Sequence, residues 1–329
     1  MIGSVGRESA TEAARRIRSL RHPKAAVDPW AAHGSILEDE RTPTGGIEHG
    51  LTIFLAGAEC PFTCSFCDLW RWTLDGPTPA GALPAQIAAV LAEHKPPVPR
   101  RIKLYNASNF FDARAVPTED LPGIARLCGD FDAVTVESHA STIDGRVVDF
   151  AHMLPGRLEV AIGLETIHPV ALRQLNKRLD IDRFDRAAAF LSEHRIDMRV
   201  FVLVGVPYVD AHESVEWVVR TARHAAEQGA RTIALIPVRG GNGEMERLAA
   251  LGHFTPPTLA QLESALDGCA DIASAVVTAD LWDIDRLPAC TACRAERVER
   301  LRRINRDAPQ PRVICDECAT TADPRRRLP

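Results

Sequence analysis

The sequence predicts an α/β fold built on a parallel sheet, and three observations support that expectation. Apolar, strand-length runs recur at 51–55, 101–107, 133–138, 157–164, 198–205 and 231–237. Helical patterning fills the intervals, at Ala82–Glu93, Thr118–Leu127, Gly145–Ala151, His168–Leu175 with Ile181–His194, and Ala211–Gln228. This alternation is the signature of βα units, because parallel strands need a crossover helix between them. Several runs also end in polar residues or glycine, where barrels of this kind place their chemistry.

At 329 residues and 46% hydrophobic content, the chain can bury one large core with a smaller appendage, but not two full enzyme domains. Residues 1–48 read as an N-terminal extension, with a helix at about 8–20 and then an irregular lead-in broken by Pro23, Pro29, Pro43 and Gly45-Gly46. Residues 49–250 hold the βα units. Residues 251–329 form a C-terminal region, opened by Phe254-Thr255-Pro256-Pro257-Thr258 and a helical stretch at 259–270. No stretch approaches the roughly 20 apolar residues of a membrane span, and Met1–Arg21 lacks the apolar centre of a signal peptide. A cytoplasmic protein with no membrane partner is expected. Seven of the nine cysteines lie in tight groups, which fits metal binding in a reducing compartment better than a disulfide framework. Cys128 and Cys269 stand apart and are expected to be buried small side chains.

Directly after the run 51–55 come Cys60, Cys64 and Cys67, in the order C-P-F-T-C-S-F-C. Three thiolates at this spacing hold three irons of a 4Fe-4S cubane and leave the fourth without a protein ligand. An open iron implies chemistry rather than electron storage.

The later strand ends supply further candidates. The second run leads to Asn106 and Ser108, which either serve a ligand or cap a polar turn. On the third, Thr135, Glu137 and His139 share a face. A carboxylate entering an apolar barrel must be paired or bound to a ligand, so Glu137 is a site candidate. His139 is a weaker one, since a lone histidine is more often structural. On the fourth, Gly163 and Glu165 share a face, and Gly163 permits close approach to the backbone. The fifth carries Arg199 near its start and Gly205 at its end, and the sixth leads into Arg239-Gly240-Gly241-Asn242-Gly243, a turn suited to shaping a substrate pocket.

A second metal signal is Cys290-x2-Cys293 with Cys315-x2-Cys318, separated by 21 residues. Four soft ligands in two knuckles suit tetrahedral zinc, with an auxiliary iron-sulfur cluster as the alternative. The charge is uneven as well. Residues 286–329 hold eleven Arg against six Asp or Glu, so of the overall −5 they contribute +5 and residues 1–285 contribute −10. The link 294–306 is basic enough to face RNA, whereas Arg325-Arg326-Arg327 is either part of such a surface or a solvated terminus.

The C-x3-C-x2-C motif at the exit of a first strand resembles that of the radical S-adenosylmethionine (radical SAM) enzymes. That resemblance implies a partial (β/α)6 TIM-like barrel, a 4Fe-4S cluster whose open iron chelates S-adenosylmethionine, and a reductant such as flavodoxin or ferredoxin. It also places Phe66 against the adenine. Ile162-Gly163-Leu164-Glu165 with Leu175-Asn176-Lys177 looks like the strand of the branch containing the Elongator catalytic subunit and tRNA methylthiotransferases. There the glutamate lies near the cofactor's ribose and amino group, a role carried to Glu165. Gly205-Val206-Pro207 resembles that branch's strand end at the adenine, and Arg199 becomes a candidate partner of the methionine carboxylate. Glu137 and Glu165 are the candidate catalytic residues, and Phe66, Asn106, Ser108, Glu137, Glu165, Arg199 and Gly205 are candidates to bind the cofactor.

The segments 47–55, 105–112 and 136–139 are similar to the archaeosine-synthase radical SAM subunit and its bacterial relatives. That likeness implies C–N bond chemistry on a modified nucleoside in tRNA. The chain departs from the pattern by lacking a Gly-Gly-Glu-like turn after the second run and by carrying Phe110-Phe111 and His139, where the wider branch often has Arg. Two other readings stand beside this one. The acidic body favours an enzyme of a small-molecule pathway, and a non-catalytic iron-sulfur and zinc sensor or nucleic-acid module would bind a cluster without cleaving S-adenosylmethionine.

Overall fold

In the computed structural model, residues 8–94, 99–307 and 309–318 are described. Arg325–Arg327 lie outside them. Helix α1 (Ala10–Ser19) starts at a capping box in which Ser9 and Glu12 satisfy each other's backbone N–H groups. A hairpin of β1 (Gly34–Arg41) and β2 (Ile47–Phe54) follows, then α2 (Ala82–Glu93), β3 (Arg101–Tyr105), α3 (Leu121–Leu127), β4 (Ala133–Ser138) and α4 (Gly145–Met153). Next come β5 (Arg157–Glu165), α5 (Pro169–Gln174), α6 (Ile181–Glu193), β6 (Asp197–Val204), α7 (Ser214–Glu227) and β7 (Thr232–Pro237). The chain continues through α8 (Glu244–Ala250), α9 (Leu259–Gly268), β8 (Val276–Ala279) and α10 (Arg294–Arg306).

All eight strands form one sheet in sequence order, curved into a nearly closed barrel. β2 to β8 are parallel, and β1 pairs antiparallel with β2. Alternation gives each strand two faces. Leu51, Ile53, Ile102, Leu104, Val160 and Ile162 point outward and are fully buried in the core that includes the helices. The expected α/β barrel is therefore present, with eight strands rather than six. Hydropathy did not reveal β1 because its inward residues, Glu38 and Glu40, are acidic. β8 is only four residues long.

Those acids complete a charged floor inside the N-terminal end of the barrel. Lys103 Nζ donates to Glu38 and Glu40, each at 2.6 Å. Arg199 donates to Glu40 at 2.8 and 3.1 Å and to Glu159 at 3.0 Å. Arg101 reaches Glu48 at 2.9 Å and Glu159 at 3.1 Å, and Thr135 Oγ1 donates to Glu159 at 2.8 Å. This corrects the expectation for Arg199. It is the third residue of β6, at the strand's N-terminal end, so its guanidinium neutralises buried carboxylates at the opposite end of the barrel from the cysteines.

Burial pushes the Glu40 and Glu159 carboxyls up. Arg199 with Lys103 at Glu40, and Arg199 with Arg101 at Glu159, outweigh it and hold both below the ordinary value. A depressed carboxyl pKa contributes stability above the unfolded value of about 4.3 and loses it as pH falls towards the folded value. Urea unfolding should accordingly show stability falling steeply below about pH 4, and less steeply in Glu159→Gln.

β1 and β8 are the open edges, and α10 packs against both. Its Val298, Leu301 and Ile304 are buried in the core. The Asn305 side chain accepts from Ala279 N–H and donates to Ala279 C=O, both at 2.8 Å, so it occupies the edge of β8 as a further strand would. Arg41 of β1 donates to Val277 C=O at 3.5 Å across the same seam.

Candidate active site

The cysteine loop leaves the C-terminal end of β2 and is tied to the ends of other strands by amides. Asn176 Nδ2 donates to Thr63 C=O at 2.9 Å and to its hydroxyl at 2.8 Å. Ser65 N–H donates to Leu175 C=O at 2.9 Å. From the turn after β7, Asn242 Nδ2 donates to Ser65 C=O at 2.8 Å and Cys67 C=O at 3.2 Å. Asn109 Nδ2 donates to Cys60 Sγ at 3.4 Å while its oxygen accepts from His139 N–H at 2.8 Å. Three partly buried thiols are thus presented on a loop braced from β3, β5 and β7.

Burial pushes the Cys64 thiol up to about 12 and raises Cys60 and Cys67 as well, so these groups become thiolates when a metal replaces their protons. Among the described residues, two groups place their ligand atoms all within 4.8 Å: Cys290/Cys293/Cys315/Cys318 and the exposed Asp210/His212/Glu213. Cys60, Cys64 and Cys67 are not such a group.

The strand-end candidates divide. Asn106, Ser108 and Glu137 come together: the backbone N–H groups of residues 106–108 face the Glu137 carboxyl. Both side-chain polar atoms of Asn106, the Ser108 hydroxyl and Glu137 Oε1 are buried without a hydrogen-bond partner. Such orphans are costly, and these lie on residues at the adjoining ends of β3 and β4, where a polar ligand would satisfy them. Burial raises Glu137 to about 7 despite those N–H groups. Phe66 packs against a buried cluster that includes Leu203, Val206 and Met245. Gly205 has φ +77°, and a Cβ there would lie 2.8 Å from Pro257, so packing as well as turn geometry demands glycine.

Glu165 is buried and paired with Lys177 Nζ at 2.8 Å. A Cβ on Gly163 would lie 2.8 Å from that Nζ, so the glycine makes room for the ion pair. Lys177 was not among the sequence candidates. Its signal was the buried carboxylate itself, which needs a counter-charge. Burial disfavours the ammonium, but Glu165 and Cys64 outweigh it and keep Lys177 charged. Ala107, Glu165, Asn176 and Arg178 all adopt left-handed backbone (φ +54°, +68°, +52° and +58°), a strain that clusters at functional sites. Replacing Lys177 by Met should destabilise the fold by about 3–5 kcal/mol by leaving Glu165 buried and unpaired; chemical denaturation reads this out, and adding Glu165→Gln should recover most of it.

His139 is a brace. It accepts from Ser141 N–H at Nδ1 and donates from Nε2 to Lys177 C=O at 3.0 Å, and it stacks on Phe62 with ring centroids 4.0 Å apart. Burial and then Lys177 push its pKa down to about 3, so it stays neutral.

In the C-terminal group, Cys290 and Cys315 Sγ are 4.0 Å apart and Cys293 and Cys318 Sγ 3.6 Å. Tetrahedral zinc with bonds of about 2.3 Å separates its sulfurs by about 3.8 Å. The basic link proves to be α10, and most of its arginines are engaged within the chain. Arg297 pairs with Glu263, Arg300 with Glu263 and Asp267, and Arg303 with Glu299.

No family model matches the chain, and no curated protein matches it. Solved structures do. A radical SAM methyltransferase from Sphaerobacter thermophilus has 18% identity and a TM-score of 0.51, covering 80% of each chain. Spore photoproduct lyase, as a C140A mutant with dinucleoside spore photoproduct, has 12% identity and a TM-score of 0.50, covering 67% of this chain and 73% of that one. Streptococcus suis SuiB bound to S-adenosylmethionine has 13% identity and a TM-score of 0.49 over 68% of this chain; the present chain spans about half of that protein, 48%. No helix among the described residues is long and apolar enough to cross a membrane. The fold of this chain is the one seen in radical SAM enzymes of known structure.

Proposed function

We propose that this chain is a radical SAM enzyme, in which Cys60, Cys64 and Cys67 hold a 4Fe-4S cluster and the orphaned polar atoms of Asn106, Ser108 and Glu137 receive the polar end of S-adenosylmethionine. Those orphans are the observation that carries the reading. When bound, cluster and cofactor together supply a 5′-deoxyadenosyl radical that abstracts hydrogen from a substrate. Phe66 offers a ring face to the adenine beside Gly205, and the Glu165–Lys177 pair fixes the charge next to the cysteine loop. Arg199 takes no part.

Glu137 gives a pH test. A carboxyl with its pKa near 7 is protonated below that pH and ionised above it, and the ionised form is the stronger acceptor for the cofactor's amino N–H groups. Affinity for S-adenosylmethionine, measured by equilibrium dialysis on reconstituted protein, should rise between pH 6 and 8. In Glu137→Gln it should fall about tenfold at pH 8, a loss near 1.4 kcal/mol, and become flat with pH. A wild-type affinity without pH dependence would remove Glu137 from the site.

For the substrate, the resemblance to archaeosine-synthase subunits supports a modified nucleoside in tRNA and C–N bond chemistry. The engaged arginines of α10 and the acidic body favour a second reading, a small-molecule substrate. Salt-dependent binding of bulk tRNA separates them: a steep loss of affinity with salt supports tRNA, and no binding at low salt supports the small molecule. For the C-terminal cysteines, the sulfur spacing supports zinc. Metal analysis of purified protein tests this, with about one zinc per chain expected.

A further inference from the structure

We propose that the barrel lumen above the charged floor is a substrate chamber with aromatic walls, shaped for a neutral planar ring; what happens to that ring rests on the function proposed above. The burial pattern is the first observation. Outward side chains are buried almost without exception, and so are the central inward residues of the floor, such as Lys103, Glu159 and Arg199. Higher up, partly exposed inward positions occur on six strands: Phe54, Tyr105, Glu137, Phe201, Ala234 with Ile236, and Thr278. Solvent therefore reaches inward side chains above the ion-paired floor.

The second observation is what lines it. Tyr105 on β3 meets Phe201 on β6 edge-on across the barrel, with centroids 6.4 Å apart and planes at 80°, which forms a platform over the floor. Phe54 on β2 meets Trp282, just after β8, at 6.0 Å and 60°. The chain has only two Tyr and five Trp, yet one of each is here. Ala161 and Ala234 keep the wall between these groups shallow. Trp282 is 60% exposed, and a large apolar ring left open at the rim of a chamber is a docking surface rather than core.

The third observation is charge. Below the platform, three cations face four carboxylates and all are engaged in ion pairs. Glu137 adds another carboxyl above. A phosphate or carboxylate entering this space would find, among the described residues, floor cations already engaged by carboxylates, so the ring enters without an anionic group. The Tyr105 hydroxyl and the Trp282 indole N–H are polar handles that the aromatic walls carry.

Calorimetric titration of the full chain, with S-adenosylhomocysteine saturating the cofactor site, tests the proposal. The probes are guanosine against ribose and phenol against cyclohexanol, none of which carries an anionic group. Guanosine or phenol should bind saturably, at least about tenfold more tightly than its ring-free or non-aromatic counterpart. Phe201→Leu and Trp282→Leu should each weaken that binding about five- to tenfold while circular dichroism stays native; Trp282 is exposed enough that its variant folds. Equal binding of each pair, no saturable binding by any ring, or unchanged ring binding in both variants overturns the chamber. If ring binding holds but the wild-type enzyme forms no 5′-deoxyadenosine, the proposed function falls and the chamber stands. If deoxyadenosine forms without ring discrimination, only the chamber falls.

Discussion

Cys64→Ala should abolish reductive cleavage of S-adenosylmethionine, lowering 5′-deoxyadenosine formation by about a hundredfold or more, a barrier change above about 2.7 kcal/mol. Two remaining thiolates cannot anchor three irons, so the cluster should be lost on desalting, with its iron and visible absorption. The fold should survive. Cys64 lies on a loop held by backbone and amide contacts from Asn176, Asn242 and Leu175, none of which uses its sulfur. An alanine variant that keeps both iron and deoxyadenosine formation would remove these cysteines from the chemistry. Cys128→Ala is the control: Cys128 is buried in the core, and its loss should cost about 1–2 kcal/mol of stability without touching iron content.

The second large effect belongs to the floor. Arg199→Leu should destabilise the protein by about 3–5 kcal/mol, because Glu159 and Glu40 are left charged in a buried site. Arg199→Lys should recover only part of this, since one ammonium cannot reproduce the paired contacts to Glu40 together with the contact to Glu159. Both variants should retain iron and, below their melting temperatures, the affinity for S-adenosylmethionine. Loss of cofactor affinity in a fully folded Arg199→Lys protein would restore Arg199 to the cofactor site.

Arg199 also shows how far the sequence could be read. Hydrophobic alternation places all six central strands because their outward faces, such as Val160-Ile162 and Ile233-Leu235, are strictly apolar. The same alternation puts Arg199 on the inward face but does not say at which end of the barrel its side chain works. Depth along the strand decides that, and it depends on partners from two other strands, Glu40 of β1 and Glu159 of β5. β1 was unreadable for a related reason. Glu38 and Glu40 are favourable inside the barrel only because Lys103 and Arg199 already stand there, so the strand resembles a solvated segment until the fold is known.

At the site, local chemistry was legible and its support was not. The cysteine spacing identifies a metal loop, and the cost of burying Glu137 and Glu165 marks them as candidates. Asn109, Asn176, Asn242 and Lys177 are ordinary polar residues in sequence; only tertiary contacts turn the three amides into braces of the cysteine loop and Lys177 into the counter-charge of Glu165. The C-terminal cysteines were equally plain. That α10 lies across the open seam of the barrel, with Asn305 on the edge of β8, was not, because a side chain standing in for a strand leaves no periodic trace.

The central claim is that this fold carries radical chemistry on S-adenosylmethionine. Anaerobic reconstitution, addition of dithionite and S-adenosylmethionine, and quantitation of 5′-deoxyadenosine with iron and zinc per chain test it most directly. The expected result is deoxyadenosine from protein holding about four irons and one zinc, with none from Cys64→Ala. A fully loaded cluster that binds S-adenosylmethionine yet yields no deoxyadenosine, with tRNA and small-ring compounds supplied, would contradict it and leave a non-catalytic iron-sulfur protein on an enzyme's barrel.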